Sequence, residues 1–366
     1  MIKKVTVAGL AVFSMLFGSS NVVFPMIIGK KFPIDWGLAD IGWLIATVLI
    51  PMIGYYGAML FEADYRKYLS PIGKHLSAIL MFIIMMMVGP FGAIARNINV
   101  SFGGINVVSP DVSNVIFNAI YCVIMTLSAW NPGKIVQVIG IIFTPLKFGG
   151  VGIVILGALY FCKSNVPLEI HQDVGNAFLE GFKTGYQTMD LLAAFILSSS
   201  IYLYIKNALP EEKKNDKKTL LKFCGYSCVI GGVALSIVYT GLVFVSSNCS
   251  TLLGNTPDEG LFAKAAEISM GNYASWFVAI VTAICCLATN IALTSIFADY
   301  VHEEICRKKF NRQIILVFVG ISAFAMSLLG FSTICNILGF VLEKVYPAII
   351  AFVMLRVLLY YCKKPS

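Results

Sequence analysis

The chain has 366 residues, of which 58% are hydrophobic and only 13% are charged, and its mean hydropathy is +0.84. This composition excludes an ordinary soluble domain and predicts a polytopic membrane protein. The formal net charge of +8 does not indicate a nucleic-acid partner, because Lys and Arg gather in alternate loops between apolar runs.

The first apolar run, residues 5–29, is long enough to cross a bilayer, which takes about 20 residues. Its middle contains Phe17, Gly18, Ser19, Ser20, Asn21 and then Pro25. These residue types weaken the helical hydrogen-bond ladder, and freed backbone groups must face protein or water. The run therefore predicts a broken helix whose second half offers its positive end to a carboxylate. The alternative is a Ser-rich helix that packs closely on a neighbour.

Ten spans are predicted in one transmembrane domain that covers residues 1–366. They are residues 5–29, 37–62, 73–95, 112–130, 135–162, 175–206, 220–247, 273–301, 313–331 and 336–361.

The loops predict the orientation of these spans. With both termini cytoplasmic, the inner segments hold most of the basic residues, and the outer ones hold only Lys30, Lys31, Arg96, Lys163, Lys183 and Lys264. This asymmetry is the positive-inside pattern.

The ten spans divide into two inverted halves of five, at about residues 5–162 and 175–361, joined by a cytoplasmic linker at about 206–220. The first span of the second half is also interrupted, at Gly185, Tyr186, Gln187 and Thr188. Paired breaks in corresponding helices point to a transporter site near the bilayer midplane. Carbonyl oxygens at this second break suit an ammonium or a hard cation.

Asp190 follows the second break, and a carboxylate near the bilayer centre costs roughly 2.5–3.5 kcal/mol on insertion scales. It is therefore a candidate for cation coupling, and the alternative is an N-cap for the half-helix that follows. Lys147 is a second coupling candidate, because it lies roughly 20 Å along its helix from Lys134.

Three polar residues of the eighth span, Thr289, Asn290 and Thr294, offer oxygen atoms that hard cations prefer. With the backbone near Phe17 they form a candidate Na⁺ site, although such side chains often bond to their own helix instead. Arg96, predicted toward the outer face, is either a gate residue or an interfacial anchor.

Enzyme signatures are weak throughout. His75, His171 and His302 lack metal-ligand spacing, and no phosphate loop, nucleophile elbow or zinc pattern is present. We expect no enzymatic activity and no cofactor beyond Na⁺ or H⁺ as a coupling ion.

Several motifs together resemble the bacterial branched-chain amino acid:cation symporters. They are Phe17–Pro25, Gly89-Pro90-Phe91 leading to Arg96 and Ser101-Phe102, Asn131-Pro132-Gly133-Lys134, Thr144-Pro145-Leu146-Lys147, and Gly185-Tyr186-Gln187-Thr188-Met189-Asp190. The last is the most specific, and the resemblance runs in order over nearly the whole chain.

This resemblance implies a LeuT-type fold of five plus five helices in the bacterial inner membrane, and import of leucine, isoleucine and valine with sodium or protons. It implies substrate binding by Gly18, Ser19, Ser20 and Asn21 and by residues 185–190, with Thr289 and Thr294 at a cation site. Members usually carry two further C-terminal spans beyond the ten predicted here, so the resemblance leaves the oligomeric state open. The alternatives are a symporter for another small amino acid, or a membrane sensor or structural protein that does not transport.

Overall fold

Helices form the regular secondary structure of the computed structural model, which describes residues 2–130, 149–158, 174–209, 214 and 216–362 and has no strand among them. The side chains of residues 2–4, 19, 20, 174 and 208 lie outside this description. The all-helical prediction is confirmed. An apolar solvent favours this outcome because a helix satisfies its backbone N–H and C=O groups within the segment.

The helices of the first half, in chain order, are α1 (Ile2–Leu16), α2 (Val23–Lys31), α3 (Trp36–Leu60), α4 (Lys74–Val88), α5 (Ala93–Val108), α6 (Asn114–Ser128) and α7 (Gly149–Ala158). A π-helical turn at Ile45–Leu49 lies within α3.

The helices of the second half are α8 (Val174–Tyr186), α9 (Asp190–Ala208), α10 (Lys217–Asn248), α11 (Leu261–Met270), α12 (Asn272–Tyr300), α13 (Arg312–Ser327) and α14 (Phe331–Cys362).

By length and apolar composition, five helical segments of the described chain can cross a membrane, or six if the bent pair α8 and α9 counts as one span. The five are Trp36–Leu60, Lys74–Val108, Lys217–Asn248, Asn272–Ile305 and Phe331–Cys362. Shorter apolar helices are Val5–Leu16, Asn114–Ser128, Gly149–Ala158 and Arg312–Ser327. The protein is therefore an integral membrane protein.

The predicted break in the first span is confirmed in the backbone. Helix α1 ends at Leu16, a 3-10 turn covers Ser19–Val22, and α2 begins at Val23. Pro25 falls in the first turn of α2, where an N–H has no intrahelical partner and its absence costs little.

The second break lies slightly later than the sequence pattern indicated. Helix α8 ends at Tyr186, α9 begins at Asp190, and the two helices are bent by 43°. Met189 has a left-handed backbone with φ 55°. Gly185 lies inside α8, and its small size has a packing cause, since an added Cβ would lie 2.4 Å from the Cβ of Ala46.

The predicted end of the third span at residue 95 lies inside a longer apolar helical segment, which continues through α5 to Val108. The Gly-Pro pair interrupts the helix at residues 89–92 without ending the span. Only glycine fits at the turn, since a Cβ at Gly92 would lie 1.9 Å from the Met87 carbonyl oxygen. Arg96 is therefore a buried residue within this segment, which disfavours the interfacial-anchor alternative.

Helices α3 and α8 pack with their backbones in close approach. A Cβ at Gly181 would lie 2.0 Å from the Ala39 carbonyl oxygen, and a Cβ at Gly42 would lie 2.2 Å from the Phe178 carbonyl oxygen. Small residues at such crossings are how membrane helices gain close van der Waals packing. This contact holds the C-terminal end of α8, and with it the second break, beside α3.

Candidate functional site

The two helix breaks meet through the side chains of Asn21 and Asp190. The Asn21 amide nitrogen Nδ2 donates to Asp190 Oδ1 at 3.0 Å and to the Leu16 carbonyl oxygen at 3.0 Å. Both side chains are buried, with exposed fractions of 4% and 3%. A buried carboxylate needs such donors because it has lost its hydration. The bond therefore joins the end of α1 to the start of α9.

The Asp190 carboxylate does not cap its own helix. The N-cap position of α9 is Met189, which makes no side-chain capping bond. The Leu191 N–H donates instead to the Tyr346 hydroxyl at 3.2 Å. Asp190 Oδ2 has no hydrogen-bond partner in the structure, so this buried oxygen is available to a ligand.

The remaining residues of the second break are tied into the protein. Thr188 Oγ1 donates to the Gly185 carbonyl oxygen at 3.0 Å, and Gln187 Nε2 donates to the Cys335 carbonyl oxygen at 3.1 Å. The Tyr186 ring packs on the Tyr346 ring with centroids 4.7 Å apart. The Gly185 carbonyl oxygen, predicted to face an ammonium, thus already accepts a bond from the protein.

Arg96 reaches the second break from α5. Its NH1 group donates to the Gln187 carbonyl oxygen at 2.6 Å, and the guanidinium carbon lies 5.4 Å from the centroid of the Phe24 ring. The residue is only 1% exposed. The sequence did not predict this contact, because Arg96 was placed just beyond the predicted end of the third span, toward the outer face.

The polar residues of the predicted eighth span lie in α12 and differ in their hydrogen-bond partners. Asn290 Nδ2 donates to the Ile94 carbonyl oxygen at 3.1 Å, and its Oδ1 accepts from Asn97 at 2.7 Å, so its amide joins α12 to α5. Thr289 Oγ1 donates to its own helix at Cys285. Thr294 Oγ1 is buried and has no hydrogen-bond partner among the described residues, which makes it the more available oxygen.

Aromatic rings pack around the breaks. Tyr239 of α10 lies 5.8 Å from Phe17 and 5.5 Å from Trp43 between ring centroids, and Phe24 lies 5.9 Å from Phe331. The Tyr239 hydroxyl also accepts from Asn21 Nδ2 at 3.4 Å. The sequence analysis did not identify Tyr239, since a tyrosine inside an apolar run carries no periodic signal.

For several predicted site residues the structure describes only the backbone, or does not describe the residue. Gly18 and Phe17 lie at the first break, where the Gly18 carbonyl oxygen accepts from the Asn21 N–H at 3.1 Å. Ser19 and Ser20 lie in the 3-10 turn, and their side chains are outside the description. Lys147 lies outside the described residues. Groups of three or more His, Cys, Asp or Glu that could hold a metal are absent from the described part of the chain.

Two broken helices that meet at a buried carboxylate in a polytopic membrane protein are a pattern found in membrane transporters. A family model described as "Branched-chain amino acid transport protein" matches residues 1–366, so the chain belongs to that family. The family is one of transport proteins and not of enzymes.

Curated relatives agree with this assignment. The chain is 27% identical to the branched-chain amino acid permease BrnQ of Bacillus subtilis (strain 168), over 98% of this chain and 83% of the relative. It is 25% identical to BrnQ of Escherichia coli (strain K12), over 96% of this chain and 80% of the relative. It is 26% identical to the branched-chain amino acid transport system 3 carrier protein of Pseudomonas aeruginosa, over 96% of this chain and 80% of the relative.

Proposed function

We propose that this protein imports leucine, isoleucine and valine across the bacterial inner membrane by cation symport and alternating access. The names of its relatives support the substrate class. The observation that carries the proposal is the Asn21–Asp190 hydrogen bond, because it brings two unwound segments to one buried polar centre. In such folds the substrate lies at the breaks.

The proposed architecture is the LeuT-type inverted repeat with ten spans, with repeats at about residues 5–162 and 175–361. Six candidate spans and four shorter apolar helices in the described chain match the ten predicted segments in order. Both breaks fall in the first span of a repeat. The matching order of the segments and the equivalent positions of the two breaks support an inverted repeat within a single transmembrane domain.

Contacts at the two ends of the bundle support the predicted sorting of the loops between two sides of the membrane. Residues predicted on the outer side contact one another, as in the Lys31–Glu180 ion pair and the bond from Lys30 to the Thr256 carbonyl oxygen. Residues predicted on the inner side do the same, as in the Arg66–Glu304 ion pair. On that side a hydrogen bond from Lys67 also holds the pKa of Glu62 below its ordinary value.

We propose that the substrate lies between the first break, at Gly18, Ser19, Ser20 and Asn21, and the second break, at Gly185, Tyr186, Gln187 and Thr188. Leucine, isoleucine and valine share an α-amino acid group and differ in the aliphatic chain. The polar centre would hold the shared group, and the surrounding aromatic rings would face the aliphatic chain.

The coupling ion has two candidate locations. Thr294, with Thr289 and the backbone near Phe17, would hold Na⁺ through oxygen atoms, and the unpartnered Thr294 hydroxyl supports this role. Asp190 and Lys147 are the candidates for H⁺. The free Oδ2 oxygen of Asp190 supports its candidacy.

Replacement of Asp190 tests the proposed site. Asp190→Asn should reduce leucine uptake into proteoliposomes to the background of empty vesicles, while the protein remains monodisperse. Asp111→Asn is the matched control, because Asp111 lies in an exposed loop, and its uptake should equal that of the wild type. Near-normal uptake by Asp190→Asn would remove Asp190 from the site. A protein that binds leucine without accumulating it would instead support the sensor alternative.

A further inference from the structure

Arg96 is a buried cation whose hydrogen bonds are incomplete. Its side chain is 1% exposed, and its Nε atom has no hydrogen-bond partner in the structure. The bond from NH1 to the Gln187 carbonyl oxygen at 2.6 Å pairs it with a neutral acceptor. A buried charge that makes no ion pair by contact is costly. The guanidinium therefore has the capacity to bind an anion.

The surroundings of Arg96 add to its positive potential. The guanidinium lies over the ring of Phe24, which belongs to the first turn of α2. The helix dipole of α2 is positive at this end. The guanidinium and the amino end of α2 thus lie side by side, and both favour a carboxylate.

Asp190 does not neutralise Arg96 by contact. The two charges influence each other electrostatically, but Asp190 Oδ1 is bonded to Asn21, and the ion pairs of the described chain do not include this pair. A second carboxylate at the site would be repelled by Asp190. It would therefore lie on the Arg96 side.

We infer that Arg96 binds the carboxylate of the transported amino acid, together with the amino end of α2. This inference rests on the proposed function and assigns Arg96 a binding role in place of a gate role. The planar guanidinium supplies more than one N–H to a carboxylate, which Lys cannot do. A neutral derivative of the same amino acid would lose this interaction.

Competition against radiolabelled leucine on the purified protein in nanodiscs tests the inference, with L-leucine and L-leucinamide as the two probes. Leucinamide keeps the ammonium and the aliphatic chain but lacks the negative charge. The wild type should bind leucine at least about tenfold more tightly than leucinamide, as expected for a charged hydrogen bond. Arg96→Gln should lower the affinity for leucine about tenfold or more and the affinity for leucinamide less than about threefold. The preference for leucine over leucinamide should therefore disappear.

Two further variants make the result specific. Arg356→Gln is the matched control, because Arg356 also donates to a backbone carbonyl oxygen, that of Tyr68 at 3.0 Å, and lies over an aromatic ring, that of Phe61 at 4.0 Å. It should keep the wild-type preference. Arg96→Lys keeps the charge, so it should lower the affinity for leucine by a few-fold and leave the affinity for leucinamide unchanged. This variant should fold even if Arg96→Gln does not.

An equal loss of affinity for leucine and for leucinamide in the Arg96 variants would overturn the inference, since a purely structural role predicts that result. An unchanged preference in these variants would overturn it as well. If the wild type binds neither leucine nor valine, the proposed function itself fails and the inference falls with it. Wild-type leucine binding with an unaltered preference in the variants would defeat the inference alone.

Discussion

Asn21 is the residue on which the polar centre depends most, because its one amide group contacts three parts of the protein. It donates to Leu16, Asp190 and Tyr239, which belong to α1, α9 and α10. If it is removed, Asp190 Oδ1 loses the amide donor that lies 3.0 Å away. A buried group that loses its hydrogen-bond partner typically lowers the free energy of unfolding by about 1–3 kcal/mol, and by more when it is charged.

Asn21→Ala should therefore reduce leucine uptake at least about tenfold, because Asp190 loses its orientation. Asn248→Ala is the control, since the Asn248 amide bonds only within its own helix, to the Phe244 carbonyl oxygen at 2.9 Å. Its uptake should match the wild type. The measurement is the initial rate of leucine uptake into proteoliposomes. Equal rates for the two variants would show that transport does not need the Asn21 contact.

Thr294 and Thr289 offer a second comparison of like residues. Thr294→Val removes a buried hydroxyl that has no partner, whereas Thr289→Val removes one bonded to Cys285. If sodium drives uptake, Thr294→Val should raise the sodium concentration for half-maximal uptake about tenfold or more, and Thr289→Val should raise it less. A sodium dependence that neither change alters would rule out this oxygen-lined site.

The residues of this centre differ in how far the sequence could predict them. Asp190 and Asn21 were identified because a carboxylate and a helix-breaking run inside an apolar segment need a physical reason. Tyr239, Tyr346 and Asn97 were not, since their roles depend on which helices become neighbours. Arg96 was assigned to the outer face because it follows the predicted end of the third span, whereas the helix continues to Val108 and buries it.

At the scale of elements, the close approach of α3 and α8 sets the position of the second break. Helix propensity alone would favour Ala over Gly at residues 42 and 181 by about 1 kcal/mol, so the glycines indicate packing. The contact involves backbone on both sides, with Gly42 near Phe178 and Gly181 near Ala39. Backbone atoms cannot move aside as a flexible side chain can.

Gly181→Ala should therefore destabilise the protein, by roughly 1–3 kcal/mol as for an overpacked core, and lower its melting temperature in detergent. Gly175→Ala in the same helix is the control, because no described atom lies within 4 Å of its added Cβ. Its melting temperature should stay the same or rise slightly through better helix propensity. An equal response of the two variants would contradict the proposed role of this packing.

The helix boundaries themselves were largely predictable. The predicted span 220–247 corresponds to Lys217–Asn248, and 336–361 corresponds to Phe331–Cys362, because long apolar runs leave little choice. The details at the breaks were not predictable. The left-handed Met189 moves the second break toward Asp190, and nothing in the residue type of a methionine indicates that backbone.

At the scale of the whole molecule, charged contacts separate into two ends. Lys31 and Glu180 pair at one end, and Arg66 and Glu304 pair at the other. The positive-inside pattern predicts that the second end is cytoplasmic. Hydropathy and charge thus yield an orientation, whereas the way the helices pack against one another required the structure.

Reporter fusions test that orientation. Fusions after Lys214 and after Lys309 should both report the cytoplasm, and a fusion after Asp111 should report the outside. An external signal after either lysine would contradict the ten-span arrangement with cytoplasmic termini.

The central claim is that this chain transports branched-chain amino acids with a coupled cation, and uptake by the purified protein tests it most directly. Labelled leucine would be supplied to proteoliposomes under a sodium gradient and under a proton gradient, imposed separately. We expect accumulation above equilibrium with one gradient, and competition by unlabelled isoleucine and valine. Accumulation with neither gradient, in vesicles whose protein is intact, would contradict the claim.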